Sequence, residues 1–271
     1  MSKRTLAHLA ILGLLALYML PIAWMLSTSL KPDDELFTEQ IRWIPNRIAW
    51  ENYQQALATF PFGVYLRNTV LIAGLTVVGA LLSCLPPAYA FARLRWRGRN
   101  FWFWVMLSTL MLPPQVTLLP VFLLFRQLGW VDTFLPLIVP AFLGNAFLIF
   151  MLRQFFLTLP QELIDAARLD GCSEWMILWR LVAPMSKPAV ATVALFSFVW
   201  AWTDFMNPLI YLNDSSKFTL AVGLQYFLGR HGEQWNLLMA AATVVTAPLV
   251  LLFLLTQRAY VRGITLTGLK G

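Results

Sequence analysis

Apolar residues run along this chain in six long stretches, at about 6–28, 68–91, 101–125, 134–157, 187–212 and 237–257. Each meets or approaches the roughly 20 mostly apolar residues that a helix needs to cross a bilayer. None alternates between apolar and polar positions, so the pattern predicts helices and not a barrel. The expected fold class is all-α integral membrane, with six transmembrane helices in one transmembrane domain over residues 1–271. Prolines interrupt most of the stretches: Pro86-Pro87, Pro113-Pro114, Pro120, Pro136, Pro140, Pro208 and Pro248. A mid-helix proline removes a backbone hydrogen bond and kinks the helix, so a kinked bundle is expected.

The stretches leave two substantial polar pieces. The first, Lys31 to Arg67, holds Trp43-Ile44-Pro45, Trp50-Glu51-Asn52-Tyr53 and Phe60-Pro61-Phe62. That is too aromatic for a disordered loop. A short amphipathic helix around Glu51–Ala58 is expected at the membrane interface, where Trp and Tyr are favoured. Contact with an external partner is the other reading.

The second piece is a polar island from Leu159 to Pro188. Thr158 and Gln161 have capping-box spacing, and Pro160 suits a first turn. Glu162 and Asp165 fall near the positive end of the predicted helix and Arg168 nearer the negative end. Leu163, Ala166 and Ala167 share one slim face at helical spacing. Gly171 follows as a natural helix stop at positive φ. A second helix, about Ser173 to Val182, carries Trp175, Met176 and Trp179 before Pro184 ends it.

Asp165-Ala166-Ala167, Asp170-Gly171 and Leu181-Val182-Ala183-Pro184 together resemble the cytoplasmic "EAA" loop of ABC-importer permeases. Asp165 stands where that pattern has Glu, keeping the charge and shortening the reach. The resemblance extends over the whole chain and is closest to the maltose-type carbohydrate-uptake importers, in their shorter-chain permease. Gln154-Phe155-Phe156, Glu233-Gln234-Trp235-Asn236 and the run Arg258 to Thr265, with Leu-Thr-Gly-Leu-Lys-Gly after it, also resemble that group. The resemblance implies a permease subunit moving a sugar inward by alternating access. Loop 158–186 is then a cytoplasmic coupling loop docking on an ATPase through Glu162, Asp165, Ala166, Ala167, Asp170, Gly171 and Pro184. It further implies a heterodimer with a second permease, two cytoplasmic ATPase subunits, an extracytoplasmic solute-binding protein and a bacterial or archaeal cytoplasmic membrane. The tail, with Arg262, Gly263 and Lys270, is then expected against the ATPase pair.

Composition narrows the field further. Hydrophobic residues make up 59% and charged residues 12%, against about 25% charged in soluble domains. Lys3 and Arg4 ahead of the first stretch raise a signal peptide, with Ser27-Thr28-Ser29 as a weak cleavage site. The apolar run is longer than the roughly 7–15 residues of a signal core, so an uncleaved anchor is expected. Net charge is +7, and its placement is more telling than its size. Both termini inside puts 13 of the 20 Lys and Arg on the cytoplasmic side and 7 outside, as the positive-inside bias requires. Arg93, Arg95, Arg97 and Arg99 form the densest cluster, which suits topology and anionic membrane lipid. No aromatic platform or fold supports nucleic acid as a partner.

Candidate chemistry is sparse. Gly263 and Gly268 imitate the start of a phosphate-binding loop, but Leu269 follows where Lys and Ser or Thr are needed, so no ATP site is expected. His8 and His231 are far apart, and Cys84 and Cys172 have no metal-ligand neighbour, so neither a metal nor a cofactor is expected. Asp204 is the exception. Inside the fifth stretch it costs about 2.5–3.5 kcal/mol on insertion scales and should face the bundle interior or a wet cavity. Ser197, Trp200, Asp204, Asn207 and Tyr211 recur at steps of three or four as one polar-aromatic stripe. Such a stripe offers a sugar both hydroxyl partners and flat apolar faces, as a candidate translocation pathway; pairing of Asp204 with a neighbouring helix is the alternative. A secondary transporter would want inverted repeats and coupling carboxylates, and only Asp204 is available. A membrane enzyme would want paired catalytic groups at one depth, which the chain lacks.

Overall fold

The computed structural model describes residues 3–37, 42–228 and 234–267. Among these residues the chain is helical with no strand. Four helical segments are long and apolar enough to cross a membrane: Ala7–Ser29, Phe62–Arg93, Leu135–Leu157 and Trp235–Thr256. Two bent pairs bring the number to six if each is one span.

Two of the expected stretches are broken, each for a local reason. The stretch expected at 101–125 is two helices, α4 (Arg99–Ser108) and α5 (Pro114–Gln127), set at 96°. Leu112 and Pro113 are extended, because a residue before proline is pushed out of the helical region. The stretch expected at 187–212 also fails to form one helix. It divides into α11 (Lys187–Thr203) and α12 (Met206–Tyr211), with Asp204 extended between them at ψ 114°. Pro208 explains that break: its ring clashes with the carbonyl four residues back, which belongs to Asp204.

By contrast, Pro86-Pro87 do not interrupt α3 (Phe62–Arg93), and Pro248 lies inside α14 (Trp235–Thr267). Pro184 does not end its helix at Val182. The chain passes from α9 (Glu174–Ile177) through a π-helical turn at Leu178–Val182 into α10 (Ala183–Met185). It bends only at Ser186, where 174–185 meets α11 at 86°. The wider π turn lies just where the proline ring would otherwise meet the carbonyl of Arg180.

The chain divides into two compact units, Met1–Gly63 with Leu220–Leu251, and Val64–Thr219 with Leu252–Gly271. In the first unit, α1 (Lys3–Ser29) is followed by α2 (Glu51–Ala58), the short helix expected from the sequence. A buried polar knot holds it. Asn52 Nδ2 donates to the carbonyls of Ser29 at 3.0 Å and Lys31 at 2.8 Å. Asn236, at the start of α14, donates to Asp33 Oδ1 at 2.6 Å. The Lys31 ammonium sits over the Trp24 ring, 4.2 Å from its centre, and burial lowers its pKa. Trp43, Ile44, Ile48 and Trp50 remain exposed.

The second unit holds the main core. Cys84, Leu85, Ala88 and Tyr89 of α3 pack with Leu148, Leu152 and Phe156 of α7 (Ala146–Leu157), and with Ile164, Ile177, Leu178 and Val182. Between membrane-spanning helices such packing is held by close van der Waals contact, since lipid is as apolar as the core. Before α7, α6 (Leu135–Ile138) and a 3₁₀ turn at Val139–Leu143 lead to Gly144 at φ 89°. The Asn145 side chain then caps α7 by accepting from the N–H of Leu148 at 3.1 Å. A further clamp lies at Asp132, which takes φ 62°. Its carboxylate accepts from the N–H groups of Asn213 and Asp214 and from Lys217 Nζ at 2.7 Å. The bond from Lys217 is the main reason its pKa falls to about 2.

Candidate functional site

Two places in the second unit answer to the residues singled out in the sequence. The first is the loop between α7 and α11. Helix α8 (Gln161–Leu169) is its main part. It does not start on a capping box: the Thr158 hydroxyl donates back to Phe155 O at 2.7 Å, and Pro160 occupies the N-cap position without a side-chain cap. Pro160 is extended at ψ 129°, which moves the helix start past the reach of Thr158. Gln161 is drawn elsewhere. Its Nε2 donates to Asp165 Oδ1 at 2.9 Å and its Oε1 accepts from Arg93 Nη1 at 2.7 Å.

The far end of α8 forms as the sequence indicated. Gly171 N–H bonds Arg168 O and Cys172 N–H bonds Ala167 O, each at 3.0 Å. This is the Schellman arrangement, which needs a left-handed residue between. Gly171 supplies it at φ 80°. Ser173 then caps α9 by accepting the N–H of Met176 at 3.3 Å.

The slim face expected on α8 is mostly exposed, and Ile164 is the residue that anchors the helix in the core, at 1% exposure. Ala167 is half-buried, and Leu163 and Ala166 are exposed. Leu169 is 90% exposed and Trp175 63%, so α8 and α9 present an apolar outer surface while held from below. Glu162, Asp165, Asp170, Gly171 and Pro184 are also exposed on this loop.

Four residues hold the loop in place: Tyr89 and Glu174, which the sequence reading passed over, and Arg168 and Arg93, which it had read only for helix polarity and for topology. Tyr89 OH donates to Glu174 Oε2. Arg168 Nε donates to Glu174 Oε1 at 2.7 Å, and Arg168 Nη1 reaches Asp165 Oδ1 at 3.0 Å. Arg93 donates to the carbonyls of Phe156 and Leu159. The bond from Arg168 is the main cause that lowers the Glu174 pKa, with burial acting against it. One signal for this network was available in sequence. Tyr89 and Arg93 are four apart, hence on one face of a helix.

The second place is a cavity of about 590 Å³. Asp204, Asn207 and Tyr211 of the predicted stripe line it, with Phe125, Trp130 and the aliphatic wall of Leu137, Pro140 and Leu143. The unwound step at Asp204 allows the stripe to turn there. Asp204 Oδ1 accepts the N–H of Asn207 at 3.1 Å and Oδ2 accepts Asn207 Nδ2 at 2.8 Å. Its carboxylate therefore satisfies the first turn of α12, a role that a helical stripe did not imply. Tyr211 is buried against Phe122 and Phe125. Ser197 and Trp200 are not among the lining residues. Ser197 is buried with no hydrogen-bond partner for its hydroxyl among the described residues, and Trp200 stacks on Phe196.

No three His, Cys, Asp or Glu side chains gather at metal-binding range among the described residues. In the tail, the helix backbone is described to Thr267, while Lys270 and the side chain of Arg262 lie outside the described residues, as do His231 and Glu233.

Comparisons with known proteins place the chain in a family. Residues 76–266 match the family model of the binding-protein-dependent transport system inner membrane component. The arabinooligosaccharides transport system permease protein AraQ of Halalkalibacterium halodurans is 33% identical over 254 residues, covering 93% of this chain and 91% of its own. The sn-glycerol-3-phosphate transport system permease protein UgpE of Yersinia pestis is 32% identical over 259 residues, with 93% and 91% covered. The fold matches a chain of a bacterial ABC transporter involved in import of the acidic polysaccharide alginate, at TM-score 0.81 and 24% identity, over 95% of this chain and 98% of that one. The outward apolar loop, the bent helices and these likenesses coincide: the chain belongs to the family of binding-protein-dependent transport system inner membrane components.

Proposed function

We propose that this chain is the sugar-translocating permease subunit of an ATP-binding-cassette importer, forming one transmembrane domain over residues 1–271. The observation that carries the reading is the loop 158–186. Its inner residues Ile164, Ile177 and Leu178 are fixed in the core, while Leu163, Ala166, Leu169 and Trp175 are exposed among the described residues. An exposed apolar face on a rigidly held helix fits a partner groove, and Glu162, Asp165 and Asp170 rim it with charge.

In this reading the partner is a cytoplasmic ATPase, with a second ATPase serving a second permease subunit in the heterodimer. Both termini and the loops at 92–100 and 158–186 face the cytoplasm, consistent with the Lys and Arg distribution. The tail residues Arg262, Gly263 and Lys270 then lie beside the ATPase pair. An extracytoplasmic solute-binding protein delivers the cargo, and this chain does no covalent chemistry.

The cargo is a carbohydrate or a polyol phosphate, the classes that the names of its relatives print. The cavity chemistry supports the same class. Asp204 and Asn207 offer acceptors and donors to hydroxyl groups, and the half-buried Trp130 offers a flat apolar face. ATP-driven uptake of a panel of radiolabelled oligosaccharides and sugar phosphates, by the reconstituted complex with its binding protein, tests both halves. Uptake of none of them, or uptake undiminished without the ATPase, would overturn the reading.

A further inference from the structure

The helix α3 makes two separate sets of contacts. Near its C-terminal end, Tyr89 donates to Glu174, and Arg93 donates to Gln161 at 2.7 Å and to the carbonyls of Phe156 and Leu159. These bonds tie α3 to both helices of the loop. Further back, Thr76 Oγ1 reaches Leu137 O at 3.5 Å and Ser83 Oγ donates to Ala141 O at 2.8 Å. Between them Gly79 lies so close under Phe142 that an added methyl group would stand 2.6 Å from the ring. The segment they grip, 137–142, carries Leu137, Val139 and Pro140 of the cavity wall.

Each set falls on one face of the helix: Tyr89 with Arg93, and Thr76 with Gly79 and Ser83. From Gly79 to Tyr89 is about 15 Å along the axis, at about 1.5 Å per residue. The helix remains unbroken over that distance, although Pro86 and Pro87 remove two of its internal bonds. The chain itself connects the loop to the same wall through α7, but that connection is interrupted at Gly144, in a conformation that favours glycine (φ 89°). Close-packed interiors pass displacement on with little compression. The unbroken, doubly anchored element is therefore α3.

We propose that α3 is the lever by which the loop 158–186 sets the position of the cavity wall, with Tyr89, Arg93 and Glu174 as positioning residues at one end and Gly79, Ser83 and Phe142 at the other. The proposal rests on the reading of that loop as the ATPase-docking element. It goes beyond it by naming the route through which docking reaches the Asp204 cavity.

The test uses the full complex in membrane vesicles. Leu143→Cys, an exposed wall position, reports the wall by its rate of maleimide labelling with and without ATP. Cys172→Ser removes the accessible native thiol; Cys84 is buried. The double variant Tyr89→Phe, Glu174→Gln loosens the loop end, and Phe142→Ala loosens the wall end. In both, the ATP-induced change in labelling is expected to shrink by about 2- to 30-fold, the span that broken coupling contacts produce. ATPase should still co-purify in wild-type amounts. An unchanged response in either variant, or no response of the wall to ATP in the parent, overturns the lever. Loss of the ATPase from the double variant also overturns it, since the network would then only shape the docking face. Failure of the docking reading looks different: Gly171→Asp would leave both ATPase binding and uptake normal.

Discussion

The loop 158–186 and the segment 197–211 were both marked in the sequence by short polar patterns, and they fared differently. In the loop, the pattern and the structure agree at the helix stop: Gly171 takes φ 80° and closes α8. In the segment, a stripe laid out at helical spacing is cut at Asp204, and only its second half lines the cavity. The difference is one of range. A helix stop is decided within six residues by backbone bonding. The break that Pro208 makes is equally local, but which half of the stripe then lines a cavity depends on what its side chains meet across the bundle.

The largest effect expected from breaking this contrast is at Gly171. An L-residue there costs about 1–2 kcal/mol in backbone strain, yet the chain leaves open space around an added Cβ. Gly171→Asp should therefore insert and accumulate normally but lose ATP-driven uptake at least about tenfold, read by uptake in vesicles and ATPase co-purification. Equal losses in protein level and uptake would show a folding defect in place of a docking one.

Next is Asp204, where two variants divide its roles. Asp204→Ala removes the acceptor at the start of α12, at a cost of about 1 kcal/mol typical of a lost helix cap. Asp204→Asn keeps an oxygen for the Asn207 N–H but loses the charge. Uptake reduced several-fold in both assigns the carboxylate to the pathway. Uptake reduced in Asp204→Ala alone leaves it only the capping role.

A smaller effect, on stability, is expected at Gly79. Gly79→Ala forces the Phe142 ring to move and should destabilise the detergent-solubilised complex by about 1–3 kcal/mol, as overpacking does. Adding Phe142→Leu should recover most of the loss in a thermal unfolding scan. Unaltered unfolding in Gly79→Ala would mean that the contact relaxes freely.

The smallest effect is the pH dependence of Glu174. Its carboxyl is held below the ordinary value of 4.5, chiefly by Arg168. The ionised form is therefore the stabilised one, and its contribution is present at neutral pH and lost as pH falls through the lowered value. The stability difference between wild type and Glu174→Gln should stay level from about pH 7 to 5 and shrink only below 4.5. A difference already vanishing near pH 6 would contradict the Arg168–Glu174 pairing.

Much of the architecture was legible because a bilayer imposes it. Apolar runs of about 20 residues have few alternatives to helix, and α2 appeared at the residues expected, Glu51–Ala58. The proline effects were legible in kind but not in place. Pro113 and Pro208 broke helices, while Pro86, Pro87 and Pro248 were accommodated inside them. A freed carbonyl can be satisfied by a neighbouring helix, and single-chain spacing does not say which neighbour will be there. The same limit hid Ile164. Hydrophobicity alone did not separate it from Leu163, and only the core against Phe156 and Leu178 did so.

The sequence by itself determined that this chain is a helical membrane protein, where its polar loop begins and ends, and that Gly171 closes the loop's first helix. These follow from local backbone chemistry and from the solvent the chain must live in. The tertiary structure alone decided that Tyr89 and Arg93 hold that loop, that Phe142 lies directly over Gly79, and that Asp204 lines a cavity wall. Each of those depends on residues roughly 60 to 85 positions apart meeting in space, and such meetings are set by close packing.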